Sequence, residues 1–210
     1  TLTLNMAATS RESQFGFDEA FRYATIYNPT APVRDASNIA NDGYFQQVLF
    51  DYYNPVGILE QNINEGTFKR NLASLRGTYE FVDGLSASVF YSQERTNGVQ
   101  GRYYDKNSFW VGADRNGLAE RNTDESKNQL FELTANYEQD INGIGLKVLA
   151  GYSYQDFVNE GFGMSGGDFL TDAFTFNNIG GAADFANGLG NVYSYKNSNK
   201  IIAFFGRVNL

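Results

Sequence analysis

At 210 residues and a formal net charge of −8, the chain offers no basic stripe for nucleic acid and little attraction for anionic lipid, and without Cys or His it lacks thiol, imidazole and the usual zinc-ligand chemistry. No apolar run approaches the roughly 18 residues of a membrane helix, so any membrane span has to be made of strands. The composition favours an all-β chain with long loops: 18 Phe and 14 Tyr suit a pleated surface, and 22 Gly with abundant Asn supply turn conformations.

Six segments alternate with period two, the mark of a strand with two chemically different faces. The first is expected at residues 1–9, with Leu2, Leu4, Met6 and Ala8 on one face. A long connection, 10–66, follows. Within it 17–27 (FDEAFRYATIY) and 54–61 (NPVGILEQ) suit short helices, the second with Asn54 as N-cap and Pro55 at the first helical position.

The second strand is expected at 67–81, where Ala73, Leu75, Gly77, Tyr79 and Phe81 oppose Ser74, Arg76, Thr78 and Glu80. Val82-Asp83-Gly84 then forms a tight turn into the third, 85–96, with Leu85, Ala87, Val89 and Tyr91 on its apolar face. The connection 97–125 gathers aromatic and acidic residues: Tyr103, Tyr104, Asp105, Phe109, Trp110 and Asp114. Sugars stack on aromatic rings and hydrogen-bond to carboxylates, so this group is a candidate ligand patch; packing of the loop, or an interfacial girdle, is the alternative.

The fourth strand spans 126–139, with Phe131, Leu133, Ala135 and Tyr137 on one face, and a short turn, Ile141-Asn142-Gly143-Ile144, leads to the fifth, 145–157, with Leu146, Val148, Ala150, Tyr152 and Tyr154. The connection 158–199 holds eight glycines with Asp168, Asp172 and Asp184 between them. No βαβ unit is present to make it a phosphate cradle, and the Asp spacing does not follow a calcium-loop pattern. Loop folding and contact with a partner are the uses it suggests. The sixth strand, 200–210, places Ile202, Phe204, Gly206, Val208 and Leu210 together.

Arg76, Glu80, Glu94, Glu132, Lys147 and Arg207 all fall opposite the apolar set of their own strand. A one-residue slip would carry each into the apolar phase, at about 2–4 kcal/mol for an Arg or Lys at a bilayer midplane. Phe90, Leu130, Leu149, Ile201 and Phe205 are exceptions on the polar side. Paired carboxylates such as Glu132 and Glu138 read as polar lining rather than as an acid/base pair. Short and long connections alternate strictly, as periplasmic turns and extracellular loops do in an outer-membrane barrel. Six strands make a sheet roughly 29 Å wide, too few to close. With no initiator Met or basic leader, and both ends inside alternating stretches, the chain reads as a piece of a longer protein, part of one barrel domain whose signal peptide and remaining strands are absent.

Several stretches resemble the SusC/RagA family of TonB-linked outer-membrane transporters: YNPTAP at 27–32, NPVGILEQ at 54–61, RNGLA at 115–119, LAGYSYQ at 149–155, GGDFLTDAF at 166–174 and SYKNSNK at 194–200 continuing to FFGRVNL at 204–210. The resemblance implies an up-and-down, plugged transmembrane barrel in the outer membrane of a Gram-negative bacterium, importing glycan or peptide, with no cofactor and no catalysis. It further implies a SusD-like surface lipoprotein as partner and TonB, engaged through the missing amino-terminal region, as energy source. Substrate or partner contact would fall to Tyr103, Tyr104, Asp105, Phe109, Trp110, Asp168 and Phe169. A surface β-domain that binds glycans without transporting them is the rival, favoured if a second layer covers Leu75, Val89, Leu133 and Val148.

Overall fold

A computed structural model describes residues 1–47, 51–141 and 143–210. Its strands are β1 (Leu2–Gln14), β2 (Asn62–Val82), β3 (Leu85–Tyr104), β4 (Leu118–Ile141), β5 (Ile144–Gly167) and β6 (Asn191–Asn209). They pair antiparallel in chain order as one open sheet, with β1 and β6 at its edges. Among the described residues no helix is long and apolar enough to cross a membrane, which says nothing of strands.

The register sets the apolar residues of all six strands side by side. One row runs Leu4, Leu75, Tyr91, Phe131, Tyr154, Ile202, and the next runs Leu2, Gly77, Val89, Leu133, Tyr152, Phe204. The apolar phase persists over residues 73–81, 146–154 and 202–210, nine residues in each case, against the about 9–11 that a tilted transmembrane strand needs. Aromatic residues mark both margins. At the upper one the Tyr91 hydroxyl accepts from Gln129 Nε2 at 2.9 Å, and at the lower one Tyr79 and Phe81 meet edge to face at 5.0 Å. Leu75, Val89 and Leu133 are each more than 40% exposed and Val148 is half-buried, so among the described residues no second layer covers the apolar band.

The opposite face carries the charges. Arg70 binds Glu94 through two hydrogen bonds of 2.8 Å, and the Arg76 guanidinium lies 4.4 Å from the centre of the Phe90 ring. That stacking accounts for one of the apolar exceptions. Phe205 accounts for another, because its ring occupies the space over Gly151, where a Cβ would lie 2.2 Å from Cζ. Tyr195 lies over Gly161 in the same way, its hydroxyl reaching Asp124 at 2.7 Å, and Tyr193 over Gly163, reaching Asn122 at 3.0 Å. An aromatic ring laid across a cross-strand glycine restores the packing that the missing side chain forfeits.

Both short turns are present, although Asn142 of the second lies outside the described residues. In the first, Asp83-Gly84 follows the Val82–Leu85 pair, and Gly84 has φ +80° with Glu138 N donating to its carbonyl at 2.7 Å. A Cβ there would sit 2.1 Å from the Glu138 carbonyl oxygen, so position 84 requires glycine twice over.

The long connections are shorter than the alternation implies. Strands expected to end near residues 9, 96 and 157 continue to Gln14, Tyr104 and Gly167, and those expected from 67, 126 and 200 begin at Asn62, Leu118 and Asn191. The connections shrink to 15–61, 105–117 and 168–190. Alternation is imposed by a bilayer on one face; beyond it both faces meet water or loops, and pairing persists without the pattern that reveals it.

Candidate functional site

At the long-loop end the three connections fold onto the sheet. Helices α1 (Glu19–Ile26) and α2 (Pro55–Gln61) lie where 17–27 and 54–61 predict them. Asn54 caps α2, accepting from Val56 N at 3.1 Å and Gly57 N at 3.2 Å, while its amide donates to the carbonyls of Val33 and Phe45. It is 1% exposed, so one side chain serves as helix cap and as loop clasp.

The first loop packs on the charged phase of the sheet: Phe17, Ala20, Tyr23 and Ile58 form a cluster with Tyr104, against which Trp110 rests. The last loop packs on the opposite phase, where Phe169, Phe176, Ile179 and Ala182 enclose Tyr103 and Ala119. Phe176 fits over Gly101, at which a Cβ would come within 2.3 Å of its ring. This loop also carries α3 (Ala183–Ala186).

Polar ties join the loops to each other. The Tyr103 hydroxyl donates to Asp172 at 2.6 Å, and the same carboxylate oxygen accepts from Lys106 N at 3.1 Å. Asp184, 4% exposed, accepts from Gly167 N at 2.6 Å and pairs with Arg115. On the other side Asn107 donates to Asp42 at 2.9 Å, and Asn62 donates to Ser108 at 3.1 Å. The middle loop is therefore the junction between the other two.

Burial shifts the titrating groups of this region. Tyr103 is pushed far above the ordinary tyrosine range by desolvation and then by its bond to Asp172, and Asp105 is raised by burial against a lowering bond from Asn107 N. Tyr23 is pushed up to about 12 by burial and by its hydroxyl bond to Asp51, 2.6 Å long. Asp51 is held below the usual carboxylate value by that bond and by Arg22.

The seven candidate contact residues do not form one patch. Tyr103 and Phe169 meet on one face, ring centres 5.7 Å apart, and both are buried. Tyr104 and Trp110 meet on the other at 5.5 Å, with Tyr104 buried and Trp110 half-buried. Asp105 turns back to accept from Asn107 N at 2.8 Å. Phe109 is 41% exposed beside Tyr53, and Asp168 is exposed, with φ +63° and its carboxylate accepting from Asn116 at 2.7 Å. Among the described residues no group of three or more carboxylates converges as a metal site would require.

Sequence reasoning missed the two tyrosines laid over glycines. A signal was present: Gly161 and Gly163 are spaced by two, as are Tyr193 and Tyr195, and the register pairs them.

An open antiparallel meander with a nine-residue apolar band, aromatic margins and long loops at one end only is a wall segment of a transmembrane β-barrel. No family model matches the chain. It is 28% identical over 160 residues to the TonB-dependent receptor P3 of Formosa agariphila, a match covering 76% of this chain and 15% of that protein. Its fold resembles the RagAB peptide transporter with TM-score 0.70 and 15% identity, and the RagAB peptide importer in its closed-closed state with TM-score 0.69 and 15% identity; each match covers 79% of this chain and 18% of the other. The chain thus spans less than a fifth of the length of these relatives. Together these findings support a SusC/RagA-type fragment, the family whose sequence stretches it resembles.

Proposed function

We propose that this chain supplies barrel wall and extracellular loops to an outer-membrane, TonB-dependent importer of oligosaccharide or peptide, working with a SusD-like surface lipoprotein. The observation that carries this reading is the uncovered apolar band, Leu75, Val89 and Leu133 among it, on the face opposite the charges. A glycan-binding surface domain would leave that band in water, an exposed patch that soluble monomers avoid. The residues of the chain act architecturally, and the reading assigns them no catalysis. The rest of the barrel, the plug and the TonB contact belong to other parts of one larger domain. Asp105, Phe109, Trp110 and Asp168 are the candidate contacts that retain accessible surface, and they would meet cargo or partner first.

The test removes the last loop. In the barrel that contains this chain, replacing residues 170–189 by a short Gly/Ser linker should leave the barrel assembled while reducing co-purification of the lipoprotein and growth on the imported nutrient. Unchanged growth and unchanged co-purification would overturn the role given to that loop.

A further inference from the structure

The net charge conceals a local arrangement on the lipid-facing side. The phase that carries Leu75, Tyr91, Phe131, Tyr154 and Ile202 continues upward, beyond the apolar band, into Lys69, Arg95, Lys127 and Lys200. Each of these lies one or two register rows above the last apolar residue of its own strand. The upper edge of the band slants from Ala73 on β2 to Tyr91 on β3, and the step from Lys69 to Arg95 slants with it. At the lower, short-turn margin the cations Arg76, Lys147 and Arg207 all belong to the opposite phase.

Arg95 and Lys127 face each other directly across β3 and β4. Like charges in that position repel. Carboxylates relieve only part of this: Glu125 binds Arg95 at 2.7 Å, Glu160 binds Lys196 at 2.6 Å, and Asp156 stands 3.9 Å from Lys200. Among the described residues Lys127 and Lys69 make no ion pair. The Tyr91 hydroxyl, bonded to Gln129, places the water-facing margin of the band just below the two facing cations.

We infer that Arg95 and Lys127, flanked by Lys69 and Lys200, bind the phosphate groups of an anionic lipid of the outer leaflet, fixing its acyl chains against the apolar band beneath. The inference rests on the outer-membrane reading. Phosphate supplies the anion that Lys127 lacks and that Arg95 has only in Glu125, and the band supplies the surface that only a lipid-borne phosphate uses.

The test titrates the detergent-purified barrel that contains this chain with lipid A carrying its phosphates, with the same lipid after phosphate removal, and with inorganic phosphate. The phosphorylated lipid should bind at least tenfold more tightly than the dephosphorylated one. Arg95→Gln combined with Lys127→Gln should weaken it by roughly tenfold or more, whereas Arg207→Gln, on the opposite phase, should not. Heat-modifiable gel mobility identifies folded barrels, and Arg95→Lys with Lys127→Arg, which keeps both charges, should bind as the parent does. Equal affinity for the two lipids, an unaffected glutamine variant, or displacement by millimolar inorganic phosphate would overturn the inference. Should the protein remain monomeric without detergent, the membrane reading fails as well; discrimination lost in a detergent-requiring protein removes this inference alone.

Discussion

Tyr103 and Tyr104 are consecutive residues buried in separate clusters on opposite faces of the same strand. The first holds the last loop through Phe169, Phe176 and a hydroxyl bond to Asp172; the second holds the first loop through Phe17 and Ile58. Strand geometry makes this possible, since successive side chains leave a sheet on alternate sides.

The two loops should therefore loosen independently. Tyr103→Ala, which empties a site 1% exposed, is expected to cost about 3 kcal/mol locally and to raise hydrogen exchange in 168–190. Tyr104→Ala should raise exchange in 15–27 instead. Tyr103→Phe keeps the ring and leaves Asp172 one bond short, an effect of about 1 kcal/mol. Equal loosening of both loops by either alanine variant would contradict the separation.

Asn54→Ala removes the cap of α2 and the donors to Val33 and Phe45 together. Loss of the cap alone is worth about 1 kcal/mol, and the two carbonyls left without a partner add to it. Amide protection across 33–47 and 54–61 should fall in the same variant, read by exchange mass spectrometry. Asn54→Asp, which keeps the acceptor and loses both donors, should preserve helix protection but not that of 33–47.

The anchoring of α1 should depend on pH at both extremes. Asp51 is lowered from its ordinary 3.8, so its contribution is present above that value and is lost as the pH falls through the lowered one. Tyr23 is raised from 10.0 to about 12, so its contribution is complete below 10.0 and disappears as the pH rises through about 12. Protection of residues 19–26, corrected for intrinsic exchange, should hold a plateau between these limits. Tyr23→Phe should abolish the alkaline loss and flatten much of the acidic one.

Charge placement separates the two faces of the sheet. Leu133→Arg, in the apolar band, should destabilise the folded barrel by about 2–4 kcal/mol in lipid vesicles. Thr134→Arg, one residue along and on the charged phase, should cost far less. Urea titrations of the two variants read the difference, and similar midpoints would reverse the assignment of faces.

Where a bilayer constrains one face, residues such as Leu75, Val89 and Leu133 announce their strand, its phase and its partner. Asn54 and Pro55 likewise announce α2, because capping is local chemistry. The upper halves of the strands were not legible: Gly161 and Gly163 read as loop residues, yet they lie in β5 beneath tyrosines that only the register brings over them. The same holds for the site. Tyr103, Tyr104 and Phe169 have the composition of a ligand patch, and composition does not distinguish a ring offered to solvent from one buried beneath a loop.

β4 runs 24 residues, of which Leu118 to Leu130, thirteen in all, stand above the apolar band. At about 3.3 Å per residue that is roughly 40 Å of strand, or about 30 Å of height at a tilt near 40°. The barrel thus raises a stiff parapet well clear of the lipid headgroups, paired to its top row at Tyr104 and Leu118. Whatever reaches Phe109 or Asp168 does so at the height of a small protein above the membrane, and must still descend that wall before it is level with the bilayer.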